Sequence, residues 1–74
     1  MIRILFACVH NAGRSQIAAA FFNQIADPSL AQAISAGTEP ATQIHPEVLT
    51  VMREVEIELD GVTPRLLTAE LASQ

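Results

Sequence analysis

An α/β fold, a short parallel sheet with flanking helices, is what this sequence predicts, and three observations carry it. Residues 2–7 (IRILFA) make a nearly unbroken apolar, branched run, the pattern of a strand covered on both faces in a parallel sheet. From Ser15 the period changes. Ile17, Phe21 and Ile25 recur every four residues with Ala18 and Phe22 beside them, the wide apolar face of a helix. A weaker apolar run, Ala31 to Ala36, then makes the order strand, helix, strand, a right-handed crossover unit.

The first helix is expected to end near Ala26, because Pro28 disfavours helical geometry at Asp27. The Asp27-Pro28 pair reads as a turn. The second strand rests partly on topology, since its apolar content is modest. Gly37 and Pro40 break the chain into a loop. Pro46 suits the first turn of a second helix, with Val48, Met52 and Val55 inward, running to about Val55 and giving way to a turn at Asp60-Gly61. Thr68 is placed to cap a last short helix. No repeat, low-complexity tract or linker divides the chain, so residues 1–74 read as a single domain. The sequence reaches Gln74 just as that helix begins, and two strands make a thin sheet for a first strand built to have neighbours on both edges. A partial, truncated domain is therefore expected, completed by a C-terminal half or by another copy in a homo-oligomer.

Composition narrows the chemistry. One cysteine excludes an intrachain disulfide, and Cys8, His10 and His45 are too few soft or imidazole donors for an expected metal site. The apolar run after Met1, about six residues, is too short for a signal sequence or a membrane span. A free thiol without a signal peptide points to a reducing, cytoplasmic compartment. Four arginines, no lysine and eight acidic residues give a net charge of −4, a field that repels nucleic acid and anionic membrane alike. Glu54, Glu56 and Glu58 read as a solvated face. Half of the chain is hydrophobic, much apolar surface for so small a domain to hide.

The segment between the first strand and the first helix carries the chemistry. Cys8 falls at the carboxyl end of the strand, Arg14 and Ser15 at the first turn of the helix, and Val9, His10, Asn11, Ala12 and Gly13 must curl tightly between them. Backbone N–H groups of such a loop can converge on one point, with Gly13 easing the approach, and the helix N-terminus adds unpaired donors. A tetrahedral oxyanion fits that nest, and Arg14 can hold two of its oxygens in a fork. The same field stabilises a thiolate at Cys8. Ser15 either donates to the sulfur or caps the helix. Taken singly, each residue has a plainer reading: Cys8 a buried small hydrophobe, Arg14 a surface charge, Asn11 a turn former, His10 loop structure or rim rather than a general base. A cysteine and an arginine bracketing one strand-to-helix loop are more specific than any of these alone.

C-x5-R-S after an N-terminal strand resembles the low-molecular-weight tyrosine phosphatase family, in which arsenate reductases form a branch. The run Cys8-Val9-His10-Asn11-Ala12-Gly13-Arg14-Ser15-Gln16 is most similar to the arsenate reductases, as are Ser35-Ala36-Gly37-Thr38-Glu39-Pro40 and the stretch from Met52 through Thr68. The resemblance spans nearly all of the chain but about the first half of a typical member, and it implies part of that family's Rossmann-like fold.

It also implies a mechanism. Cys8 would be the nucleophile, Arg14 the oxyanion clamp and Ser15 the partner of the thiolate; Val9, His10, Asn11, Ala12 and Gly13 would complete the oxyanion-binding loop, with Asn11 organising its backbone. Phosphatases of the family usually have glycine where His10 stands and often a second cysteine where Gly13 stands, so the resemblance favours arsenate over aryl phosphate. With one cysteine, reduction would need no bound cofactor but an external small thiol, mycothiol or similar, and a glutaredoxin-like redox protein. The family's general acid, an aspartate of a later Asp-Pro loop, has no counterpart here. A protein phosphatase and a non-catalytic oxyanion-binding fragment remain the alternatives. After the second helix the family commonly carries glycine where this chain has Glu56.

Overall fold

A computed structural model describes residues 1–73. Its elements run β1 (Ile2–Cys8), α1 (Arg14–Ile25), β2 (Ala31–Gly37), α2 (Pro46–Glu54) and α3 (Ala69–Ala72). β1 and β2 pair in parallel along their whole length, Ile2 opposite Ala31 and Cys8 opposite Gly37, so both strands deliver their carboxyl ends to one side of the molecule. The outer edge of β2 is covered at Ala33 and Gly37 by side chain and loop. The Asn23 amide on α1 donates to the Ala33 carbonyl (2.9 Å) and accepts from the Ala33 N–H (2.8 Å), standing in for a neighbouring strand. Further along, Gly37 donates to Arg65 and accepts from Leu67 (both 2.8 Å), an isolated parallel bridge centred on Leu66.

The expectation that β1 is covered on both faces is not met. Ile2 is 65% exposed and Ala7 is also exposed. α1 packs on the sheet, and among the described residues no other helix does so comparably. The smallest extent, 16 Å, is about what one helix layer on one sheet occupies.

The apolar stripe expected to face inward on α1 is also corrected. Ile25 is 83% and Phe21 40% exposed, and the side chains that go under are Ser15, Gln16 and Ala19, one helical stripe of small and polar residues. The reason lies in partners on other segments. Ser15, Gln16 and Asn23 each have a partner in the β1–α1 loop or on β2, so satisfying them turns this face toward the sheet, leaving Phe21 and Ile25 exposed while Ile17 packs against the cluster beneath α2. Phe22 keeps one contact inward, its ring 6.3 Å from that of Phe6 on β1.

α1 ends as expected at the turn of Asp27-Pro28. The Asp27 carboxylate accepts from the Ser29 N–H and hydroxyl, which hold it below its ordinary carboxylate range. The principal apolar cluster lies beneath α2, where Ile44, Met52 and Leu59 are buried with Ile17, Ala20, Val48, Leu49 and Ile57 against them. Val55, expected inward, is 47% exposed because the helix has already ended. Its end is a Schellman turn: Ile57 donates to Met52 (2.8 Å), Glu56 donates to Arg53 (3.0 Å), and Glu56 takes φ 63°, the left-handed position where glycine is usual. Glu58 is more than a solvated acid, since it pairs with Arg53 at 2.9 Å on the surface. Thr68 caps α3 as expected, its hydroxyl accepting from the Leu71 N–H.

Candidate active site

The loop from Val9 to Gly13 is folded around Asn11. That residue is fully buried and adopts φ 52°, a left-handed conformation that asparagine tolerates better than most side chains. Its orientation is set from the far end of the chain. The backbone N–H of Arg65 donates to Asn11 Oδ1 at 2.8 Å, and a peptide N–H is always a donor, so the oxygen of the amide faces it. Gln16 Nε2 donates to the same oxygen and to the Asn11 carbonyl, both at 3.1 Å. Nδ2 of Asn11 is thereby aimed at Ser15 Oγ, 2.7 Å away. Ser15 Oγ also lies 2.8 Å from Cys8 Sγ, a bond in which the hydroxyl is the donor whenever Cys8 is a thiolate. The Asn11 N–H reaches the same sulfur at 3.3 Å. Ser15 is thus not the helix cap; Gly13 occupies that position and supplies no side chain.

These bonds act on the thiol. Burial pushes the Cys8 thiol up, but the Ser15 hydroxyl and the backbone N–H groups of Ser15, Asn11 and His10 outweigh it, leaving Cys8 below an ordinary cysteine.

The remaining loop peptides are oriented by the segment after β2. The carbonyls of Cys8, Val9, His10 and Ala12 accept from the N–H groups of Thr38, Glu39, Ala41 and His45, at 2.7–3.1 Å. In a trans peptide the next N–H points the opposite way from each carbonyl, so pulling these four carbonyls outward turns the loop's donors inward. Close approach of the two segments needs Gly37. A β-carbon there would stand 2.6 Å from the Val9 carbonyl oxygen and 2.9 Å from the Asn11 nitrogen. At Gly13, by contrast, a β-carbon would meet only ordinary contacts, the nearest at 3.7 Å.

An open cavity of about 680 Å³ results, lined by Cys8, Val9, His10, Ala12, Gly13, Arg14 and His45. Of the residues singled out from the sequence, Ser15 and Asn11 stand apart: their side chains are buried behind the cavity, where they act on the sulfur and the loop. Arg14 begins α1 at the cavity wall. Glu39 and Asp27 are not among the lining residues. Sequence reasoning missed three contributors. His45 had no local signal, Gly37 read only as a breaker, and the Arg65 backbone gave no hint of its contact with Asn11.

Comparison with known proteins gives the family and the fold. Residues 3–74 match the family described as low molecular weight phosphotyrosine protein phosphatase. A putative arsenate reductase of Halobacterium salinarum is 40% identical over 92% of this chain and 51% of its own length. The solved thioredoxin-dependent arsenate reductase of Corynebacterium glutamicum superposes with a TM-score of 0.89 at 42% identity, covering 97% of this chain and 36% of that one. An arginine phosphatase of Geobacillus stearothermophilus gives 0.83 at 30% identity, covering 95% and 46%. The chain spans about half the length of the curated relative it matches.

Proposed function

The chain belongs to the low molecular weight phosphotyrosine protein phosphatase family, and on that premise we propose that it carries the oxyanion-binding, nucleophile-bearing part of an arsenate reductase. The observation that supports this best is the Cys8 sulfur at the cavity wall, hydrogen-bonded by Ser15 and the Asn11 N–H in a loop that starts α1 with Arg14. The Cys8 thiolate attacks arsenic while Arg14 and the loop N–H groups bind the arsenate oxygens. One arsenic–oxygen bond breaks as the sulfur–arsenic bond forms, and the departing hydroxyl leaves as water with an added proton. An external thiol then attacks the Cys8 sulfur. The electron pair of the sulfur–arsenic bond passes to arsenic, which leaves as arsenite, and Cys8 is left in a mixed disulfide. A second thiol, from the small-thiol pool or a glutaredoxin-like protein, restores Cys8, so two thiols are oxidised for each arsenate reduced. Mycothiol is the reductant we favour, on the likeness of residues 9–15 to the arsenate reductases that use such a small thiol.

The similarity to an arginine phosphatase supports one second reading, hydrolysis of a phosphorylated substrate by the same nucleophile. One experiment separates the two. Arsenite release from arsenate is measured with mycothiol or glutathione, beside phosphate release from phosphoarginine and an aryl phosphate without added thiol, each with a Cys8→Ser control. Thiol-dependent arsenite release that the control abolishes is the expected result. Phosphate release alone transfers the site to the phosphatase reading.

A further inference from the structure

The Cys8 cavity has a wall that the loop itself does not supply. His45 comes from the start of α2, yet its imidazole lies against Gly13, with Cδ2 3.7 Å from where a β-carbon on Gly13 would be. Its backbone is tied to the same loop, the His45 N–H donating to the Ala12 carbonyl at 3.1 Å. The side chain is exposed and lines the same cavity as Cys8 and Arg14, with no hydrogen bond or ion pair holding it elsewhere among the described residues. His10 is the other imidazole of the wall. None of the three phenylalanines lines it, and the chain has no tryptophan or tyrosine. A small oxyanion needs N–H donors and positive charge.

We propose that His45 is a substrate-contacting residue of this site, its imidazole binding the oxyanion from the Gly13 wall. This inference rests on the oxyanion site proposed above. His45 acts beside Arg14: the guanidinium provides a fixed charge and fork, the imidazole an N–H donor that carries positive charge when protonated.

The test compares the parent chain with His45→Asn and His45→Lys. Affinity for inorganic phosphate is measured by calorimetry at about pH 6, where an ordinary imidazole is largely charged. Cys8 alkylation is followed at the same pH with anionic iodoacetate and neutral iodoacetamide, each rate divided by the thiolate fraction from that variant's own pH profile. In His45→Asn, phosphate binding is expected to weaken about threefold or more, a partly screened charge effect. The iodoacetate-to-iodoacetamide rate ratio should fall with it, and His45→Lys should restore both. An unchanged rate with iodoacetamide reports an intact loop, so a fall in the ratio reads the field at the cavity and not a fold defect. Parent-like phosphate affinity and rate ratio in His45→Asn would overturn the inference while leaving the Cys8 site standing. A parent chain that binds no phosphate would remove the oxyanion site itself, and the inference with it.

Discussion

The backbone N–H of Arg65 lies 2.8 Å from Oδ1 of Asn11, across 54 residues of sequence. This bond, with that from Gln16 Nε2 to the same oxygen, fixes which way the Asn11 amide faces and so which of its atoms meets Ser15 Oγ, the hydroxyl bonded to the Cys8 sulfur. The segment around Arg65 is itself anchored at the Gly37–Leu66 bridge, so the chemistry of the loop depends on a piece of chain that never enters the cavity.

Asn11→Ala should therefore injure both stability and reactivity. It removes the buried side-chain bonds to Ser15, Gln16 and the Arg65 N–H and leaves a β-carbon in a left-handed conformation. A loss of about 2 kcal/mol or more is expected in urea unfolding, with a rise in the thiol pKa. A variant with parent-like stability would show that the network carries little.

Ser15→Ala isolates the thiol. The Cys8 thiol is held below its ordinary value against the opposing effect of burial, and the Ser15 hydroxyl is the largest of the lowering contacts. The pH midpoint of alkylation by iodoacetamide should move upward in the variant. The linkage has a definite sign: with the folded pKa depressed, the thiolate's stabilisation is fully present above the unfolded thiol's pKa and is lost as pH falls through the folded value. That pH-dependent part of stability should shrink in Ser15→Ala, and an unmoved midpoint would contradict the assignment.

Gly37→Ala tests the close approach of β2 to the loop. The added β-carbon meets backbone, which cannot rotate away, and must push the Val9–Asn11 segment outward. A destabilisation of about 1–3 kcal/mol and loss of phosphate binding are expected. Retention of both would mean that the segments separate without consequence.

Glu56→Gly should stabilise. Glu56 holds the left-handed position of the Schellman turn after α2, where a β-carbon is unfavourable, while Ile57 seals the turn against Met52 and its neighbours. A gain of about 0.5–1 kcal/mol is expected, measured as a raised urea midpoint with an unchanged slope and unchanged Cys8 reactivity. A lowered midpoint would refute the conformational argument.

Local period and local spacing were enough to place several parts of this fold. The apolar run into Cys8, the change of period at Ser15, Pro46 at a helix start and Thr68 at a cap all appear where the residues place them, because strand pleat, helix turn and capping act within a few residues. The bracket of Cys8 and Arg14 is legible for the same reason: a strand end and a helix start lie six positions apart on either side of one loop. Tertiary structure alone decided which face of α1 is buried, since that face follows the partners of Ser15, Gln16 and Asn23 on other segments and not the helix's own hydrophobicity. It alone brought Gly37, His45 and the Arg65 backbone to the loop. Spacing along a chain encodes hydrogen bonds that close within an element; a donor 54 residues away from its acceptor is placed by packing, and packing is settled only when every buried polar group has found its partner.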